Sequence, residues 1–472
     1  MVFLSSDFTL TLLFMTSFAI MIVLCYYLHL LSFRSSLLIP IIKSNEKKYQ
    51  FIKNSNPYYN PNKNPSPSLS NDYFYNNKDN KKNNGYHISN TLKNLPFVSI
   101  IVPARNEEKH IKRCLLSLLS QDYPYFEIIA IDDNSTDSTL YIMNDIKNRT
   151  SKGGKIGLPI DKLKIISLND KPDNWTGKTW ASQQGYLHSK GNILLFTDAD
   201  TNYVRKDVIL QTVLYMQKQN LDVLTGVFSP EKLSSFWSKI TIPFWDSVSI
   251  LFGIGSPDVN SPKSKIAYLM GSYFLIKRKV FVDVGTFKSV CQEMQEDKAL
   301  GILIKKRGYK IKLVRLSEMM YTIWSDDIIT LWHGIGRTLA PLVLKNRFKV
   351  ISNLFIIFFA SIMPFVLLPF TLWFAFEKLS FISPYGIPFN IYFYMLLLNL
   401  IPCILMFTLF STRSKEYKTK SLYYMGSLFA AIFVIIACIY SIVPLLIFGK
   451  TKPILWQGRQ YTYNKGQNGF TI

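Results

Sequence analysis

Residues 192–201 read NILLFTDADT. Ile193 to Phe196 are consecutive apolar residues, the pattern of a buried strand. The run ends in Asp198-Ala199-Asp200. Two carboxylates one residue apart raise each other's pKa, and a bound divalent cation relieves that conflict. The carboxyl ends of strands are also where open α/β sheets bind ligands. A polar turn would use the same residues, so the neighbouring segments have to decide between turn and site.

Those segments alternate in type. Strand-like runs at Phe97–Val102, Glu127–Ile131, Leu163–Leu168, Ile193–Thr197 and Leu221–Val227 are separated by helix-like runs at Asn106–Ser120, Ser135–Lys147, Gly177–Ser189 and Lys206–Gln217. In the first helix Ile111, Leu115, Leu118 and Leu119 share one face. A strand at Ala267–Lys277, a helix at Glu296–Lys306 and a strand at Tyr309–Val314 complete the pattern. The reading is an α/β domain with a mostly parallel sheet and helices on both faces.

The flanks are apolar. Phe8–Phe33 is uncharged and exceeds the about 20 residues that cross a bilayer as a helix. It lacks the basic start of a signal peptide. Arg34, Lys43, Lys47 and Lys48 follow it, which puts the next segment in the cytoplasm. Residues 43–94 are rich in Asn, Lys, Pro, Tyr and Ser without apolar periodicity and read as a flexible linker. Ser234–Phe252 is aromatic, suited to a core or to a membrane-facing helix. Asp326–Lys349 reads as an amphipathic helix for the bilayer interface. Apolar runs follow at Ile351–Phe376, Ile387–Phe410 and Leu422–Phe448, interrupted by Pro364, Pro369, Pro402 and Pro444.

The division by sequence is an N-terminal transmembrane anchor (1–42), a linker (43–94), an α/β domain (95–325), an interface helix (326–349), a membrane region of three apolar segments (350–449) and a tail (450–472). Charge leaves the topology open. The loop Ser411–Lys420 and the tail are both basic, although one crossing separates them. Either the tail lies outside or one of the last runs does not cross. The net charge of +23 suits a membrane surface. Nucleic acid is excluded as a partner, because the basic residues form no recognisable module. The five cysteines show no metal spacing and read as reduced thiols.

Acids recur at the strand ends. The first strand runs into Pro103-Ala-Arg105-Asn106-Glu107-Glu108, where Pro103 ends the strand and Asn106 can cap the next helix, with Glu107 and Glu108 in its first turn. The second ends in Asp132-Asp133-Asn134-Ser135, with Asn134 or Ser135 available as a cap and two acids able to bond a base or ribose. In order, VSIIVPARNEE, IDDNSTDST, WTGKTWA, TDADT and QEDKALG resemble inverting family 2 glycosyltransferases of the GT-A fold. The finer likeness is to the membrane-anchored branch of hopanoid-associated and carotenoid-acid (diaponeurosporenoate) glycosyltransferases, with ceramide glucosyltransferase more distant. It covers roughly Phe97 to Arg337, and the tail Trp456-Gln-Gly-Arg459-Gln-Tyr461 shares it.

The resemblance implies roles. Pro103, Arg105, Asn106, Glu107, Asp132, Asp133, Lys178 and Asp198 match nucleotide-sugar-binding positions, Asp132 and Asp133 at base and ribose and Lys178 at the diphosphate. Asp198 and Asp200 match the metal ligands for Mg²⁺ or Mn²⁺. Asp297 matches the general base, with its neighbour Glu296 as the alternative. Processive and ceramide-type relatives carry Q-x-x-R-W after the base, and the processive ones use its tryptophan to hold the growing chain. Here the stretch is Trp332-His-Gly-Ile-Gly-Arg337-Thr338, without that glutamine or tryptophan, although Arg337 can still serve the diphosphate. The expected activity is metal-dependent, inverting transfer of one sugar from a nucleotide donor, UDP-linked, to a membrane-lipid acceptor, by an integral membrane protein with its catalytic domain in the cytoplasm. The alternatives are a processive polysaccharide synthase and a non-catalytic membrane scaffold. The sequence selects no oligomeric state.

Overall fold

The computed structural model describes residues 2–42, 95–151, 162–228, 233–322, 327–379, 391–420, 423, 426–450, 453–463 and 470–471. The linker assigned to 43–94 lies outside them. The chain forms two compact units. One comprises Ile39–Ser229 and Asp258–Ile323, and the other Met1–Leu38, Pro230–Pro257 and Trp324–Ile472.

The first unit is built on a seven-stranded sheet in the order β3-β2-β1-β4-β7-β6-β8. The strands are β1 (Val98–Ala104), β2 (Phe126–Asp133), β3 (Leu163–Leu168), β4 (Ile193–Thr197), β6 (Val223–Val227), β7 (Tyr273–Lys277) and β8 (Ile311–Arg315). A small strand β5 (Thr201–Tyr203) follows β4, and its partner β9 (Met320–Thr322) follows β8. Neighbours in the large sheet are parallel except at β7, which is antiparallel to β4 and β6. The α/β reading with a mostly parallel sheet holds.

Period-two alternation sorts the strand residues into separate apolar clusters. Ile100, Val102 and Leu195 join helix residues Leu115, Leu118 and Val213 in one. Ile101, Ile129, Leu194 and Phe196 join Phe281, Phe287 and Leu300 in the other. All five residues of β4 are buried, as its unbroken apolar run requires. Phe196 is held by rings of Phe274, Phe281 and Phe287 at centroid distances of 4.9, 5.3 and 5.1 Å.

Several boundaries differ from the sequence reading for physical reasons. Pro103 does not end β1, which runs to Ala104. The ladder to β4 stops at Ile101, so the proline sits where one side of the strand is already unpaired. The next helix starts at Ile111, not Asn106, and its cap residue is His110. Asn106 adopts φ 53°, outside the helix, and Glu107 and Glu108 precede the first turn. The following helix starts at Thr139, because Asn134 has φ 54° and Asp137 accepts from the Thr139 N–H at 2.9 Å. β7 is shorter than Ala267–Lys277, since a turn from Met270 O to Tyr273 N precedes it.

The second unit is helical. Among its described residues, four stretches are long and apolar enough to cross a membrane: Phe14–Ser36, Asn346–Phe376, Phe393–Glu416 and Ser427–Phe448. The helix Phe236–Ser249 also belongs here, although residues 230–257 fall within the 95–325 interval. The expected interface helix is the first part of a longer one, Ile328–Ser361, which breaks at Asn346 (φ −157°, ψ 85°). Ile335, Leu339 and Val343 of that part lie in the unit's apolar core. Arg413 is not a free loop charge. It is 4% exposed, donates to Ser32 Oγ (2.8 Å) and Ser32 O (3.1 Å), and faces Glu416 (3.3 Å) and Asp246 (3.5 Å). One of the four basic residues that placed the 411–420 loop is therefore neutralised within the helices. The tail folds into strands Ile454–Trp456, Arg459–Tyr463 and Phe470–Thr471, with Gln457 and Gly458 at positive φ in the hairpin turn.

Gly191, at the entry to β4, shows how closely the sheet is packed. A Cβ there would meet the Ser99 backbone nitrogen at 2.5 Å. Gly191→Ala is expected to cost roughly 1–3 kcal/mol and to lower the thermal midpoint by several degrees in a scan of the purified protein. An unchanged midpoint would contradict this packing.

Candidate active site

Strand order places the site. β1 connects to β2 on one side and lies beside β4 on the other, so the order reverses between β1 and β4. A crevice outside the carboxyl ends is the consequence of such a reversal. The ends of β1, β2 and β4 carry Arg105-Asn106-Glu107, Asp132-Asp133 and Asp198-Ala199-Asp200.

The loops after β1 and β2 are cross-bonded. Arg105 Nη1 donates to the carbonyls of Asp133 and Asn134, each at 2.6 Å. Asn106 N donates to Ser135 Oγ (3.0 Å), and Asn106 Oδ1 accepts from Thr136 N (2.9 Å). Glu107 N donates to Thr139 Oγ1 at 2.7 Å. These bonds occupy the side chains that sequence reading assigned to helix caps. Asp132 and Asp133 are both buried. Asp132 Oδ2 accepts from Ser135 N at 3.4 Å, while its Oδ1 is buried without a hydrogen-bond partner.

Lys178 is the centre of the second cluster. It is the second residue of the helix Gly177–Leu187, whose cap Thr176 accepts from Thr179 N at 3.1 Å. Its Nζ lies 2.6 Å from Asp198 Oδ1 and 3.2 Å from Glu296 Oε1. Burial opposes the ammonium charge, but Asp198, Glu296 and Asp297 together hold its pKa above the ordinary lysine value. Glu296 and Asp297 form the first turn of the helix Glu296–Lys306. Asp297 Oδ2 accepts from Gly271 N at 3.0 Å and its Oδ1 from Lys298 N at 2.7 Å. Burial nevertheless leaves the Asp297 carboxyl above its usual range.

The other acids respond in the same way. Burial and then the Asp198 charge push Asp200 up to about 7. Burial raises Glu296 to about 7, against the pull of Lys178. Burial, followed by Asp200, Asp198 and Asp137, pushes Glu107 up to about 8. Glu107 thus links the two clusters.

The structure therefore brings Glu107, Lys178, Asp198, Asp200, Glu296 and Asp297 into one electrostatic group. It sets Arg105, Asn106, Asp132 and Asp133 on the adjoining strand ends, with Pro103 in register with Ile131 of β2. Arg337 belongs to the helical unit, and its side chain is outside the described residues. Sequence reading missed several contributors. Thr322 bonds Asp200 and arrives through the β5–β9 pairing, Thr201 opposite Thr322. Gly271 supplies the N–H to Asp297 and gives room, since a Cβ there would meet Lys178 Nζ at 2.9 Å and Asp297 Oδ2 at 3.1 Å. Tyr268 is partly buried beside the same groups, its hydroxyl held above the phenol range by desolvation and then Asp297. No local sequence pattern marks these residues, which come from strands and turns distant in the chain.

The donor set fits a hard cation. Asp200 Oδ1 is buried and has no hydrogen-bond partner. Among the described residues no group of three or more His, Cys, Asp or Glu could hold a metal ion alone. Asp198 and Asp200 could thus supply carboxylate ligands to an ion whose remaining ligands are phosphate and water, the usual arrangement for Mg²⁺ on a nucleotide.

Residues 99–285 match the family model described as glycosyl transferase family 2. The chain is 25% identical over 282 residues to the probable glycosyltransferase YdaM of Bacillus subtilis (strain 168), covering 57% of this chain and 63% of that protein. It is 23% identical over 266 residues to 4,4'-diaponeurosporenoate glycosyltransferase of Staphylococcus aureus (strain USA300), covering 56% of this chain and 66% of that protein. The match spans slightly less than two thirds of these relatives' lengths. Among solved structures, the mannosyltransferase PcManGT from Pyrobaculum calidifontis in complex with GDP-Man and Mn²⁺ aligns with 15% identity, 91% and 99% coverage of the two chains, and a TM-score of 0.43. Residues 99–285, which include the acids that follow β1, β2 and β4, are thus similar to glycosyl transferase family 2.

Proposed function

We propose that the protein is a metal-dependent, inverting glycosyltransferase that moves one sugar from a nucleotide-sugar donor, UDP-linked, to a lipid acceptor in the membrane. The observation that carries this reading is the group at the sheet's reversal point: Asp198 and Asp200 just after β4, with Asp198 bridged by Lys178 to Glu296 of the Glu296–Asp297 turn. Asp132 and Asp133, both buried at the end of β2, would bond the base and ribose. Arg105 and Asn106 fix the loops that frame them. Asp198 and Asp200 would hold Mg²⁺ or Mn²⁺, which supplies Lewis-acid neutralisation of the leaving diphosphate.

Asp297 suits the base better than Glu296. Glu296 is already engaged by Lys178, and its side chain is only 8% exposed. Asp297 is less deeply buried and is oriented by two backbone N–H groups. Its raised pKa makes it a ready proton acceptor from an attacking hydroxyl. Displacement from the face opposite the diphosphate inverts the anomeric carbon. A membrane acceptor is supported by the helices long and apolar enough to span, which occur in the chain both before and after the family 2 domain. A relative named as a diaponeurosporenoate glycosyltransferase is compatible with it. Nucleotide sugars are made in the cytoplasm, so the catalytic unit is assigned to that side.

Asp200→Asn is expected to abolish metal-dependent transfer in isolated membranes while leaving expression and membrane insertion unchanged. Asp297→Asn is expected to lower the transfer rate by roughly 10²–10⁴-fold. Full activity in either variant would overturn its assignment. A pH test follows from the raised acids. Folding strengthens proton binding at Asp200, Glu296 and Glu107, so their contribution to stability is complete below the ordinary carboxylate range and is lost as pH rises through about 7 to 8. The melting temperature of the metal-free protein should fall between those limits, less steeply in Asp200→Asn. A wild-type midpoint that rises with pH across that range would contradict the burial of these groups.

A further inference from the structure

We infer that Lys178 is a built-in counter-ion that occupies Asp198 in the nucleotide-free protein and gives it up when a divalent cation arrives together with a diphosphate. Loading of the cation would then depend on the nucleotide. This rests on the metal–donor reading above and adds a device to it.

The geometry has three parts. Lys178 Nζ sits 2.6 Å from Asp198 Oδ1, so the ammonium already holds an oxygen that a cation needs. The side chains are 19% and 31% exposed, so water screens the pair only in part. Second, Lys178 does not neutralise the whole group. Asp200 Oδ1, two residues along, stays buried without a hydrogen-bond partner. That oxygen, two residues from the paired Asp198, is one that a cation of higher charge could take. Third, the ammonium has a fixed seat. It also contacts Glu296 at 3.2 Å, over a glycine whose Cβ would come within 2.9 Å of Nζ.

These parts give an exchange. A divalent cation alone has to break the Lys178–Asp198 pair and leave the ammonium without that partner. A diphosphate changes the balance, because its oxygens complete the cation's shell and offer Lys178 a new anionic partner. Until then the ammonium spans the metal ligand Asp198 and the acid turn that carries Asp297. The residue acts by position, and its effect is read in metal affinity rather than in turnover.

The test is Mn²⁺ binding to the full chain in detergent, followed by the electron paramagnetic resonance of free Mn²⁺, with and without saturating UDP. Wild type should bind Mn²⁺ weakly alone and more tightly with UDP. Lys178→Gln should bind Mn²⁺ without nucleotide about tenfold or more tightly than wild type, the scale on which a neighbouring cation shifts a carboxylate. UDP should then add less. Gly271→Ala keeps every charge and crowds only the ammonium and Asp297, so it should show a smaller shift in the same direction, and it decides the matter if Lys178→Gln does not fold. If UDP tightens Mn²⁺ binding in wild type but neither variant gains affinity without it, the counter-ion role is wrong and the donor reading stands. If wild type binds no Mn²⁺ even with UDP, both fail.

Discussion

The crowding of carboxylates at the carboxyl ends of β1 and β4 is the constraint that organises this protein. Asp198, Asp200, Glu296, Asp297 and Glu107 influence one another inside a partly buried crevice, and three of them are raised to about 7 or 8. Folding holds them there with a single ammonium placed between two of them. Like charges so arranged cost stability unless a ligand repays it. A divalent ion carried on a diphosphate, as proposed, would meet that need.

The fold supplies the crowding through its connectivity. The order reversal between β1 and β4 opens the crevice, and the antiparallel β7 carries the chain onward toward the Glu296–Asp297 turn from Gly271 just before it. Two asparagines at positive φ, Asn106 and Asn134, turn the chain away from helix as β1 and β2 end. Their loops bond each other instead of capping helices. The apolar residues beneath, divided between the clusters around Val102 and Phe196, keep these ends in register.

Much of this was legible in the amino-acid sequence. The apolar run of β4 coincides with its observed limits, because a strand buried along its whole length leaves little freedom in composition, and the limits of the edge strand β3 coincide as well. Lys178 was placed early in its helix, where it is found. The helix starts after β1 and β2 were read four or five residues too soon, since Asn106, Asn134 and Ser135 suit a cap as well as a loop. Their cross-strand bonds depend on tertiary pairing that no local pattern encodes. The same holds for Thr322, delivered to Asp200 by a three-residue strand, and for Gly271. In the helical unit, hydropathy marked the spans, but Arg413 was counted as a loop charge although its guanidinium is buried against Ser32, Asp246 and Glu416.

The chain combines an acid-rich crevice with helices, four among the described residues, that are long and apolar enough to cross a bilayer. The central claim is that one sugar passes from a nucleotide to a lipid. Membranes containing the protein would be incubated with labelled UDP-glucose, UDP-galactose, UDP-N-acetylglucosamine and GDP-mannose, with and without Mg²⁺ or Mn²⁺, and the lipids extracted. The account predicts cation-dependent label from a UDP-sugar in the lipid extract, as a single sugar of inverted anomeric configuration. Label that accumulates only in polymer, or no lipid label from any donor while the protein is folded and inserted, would contradict it.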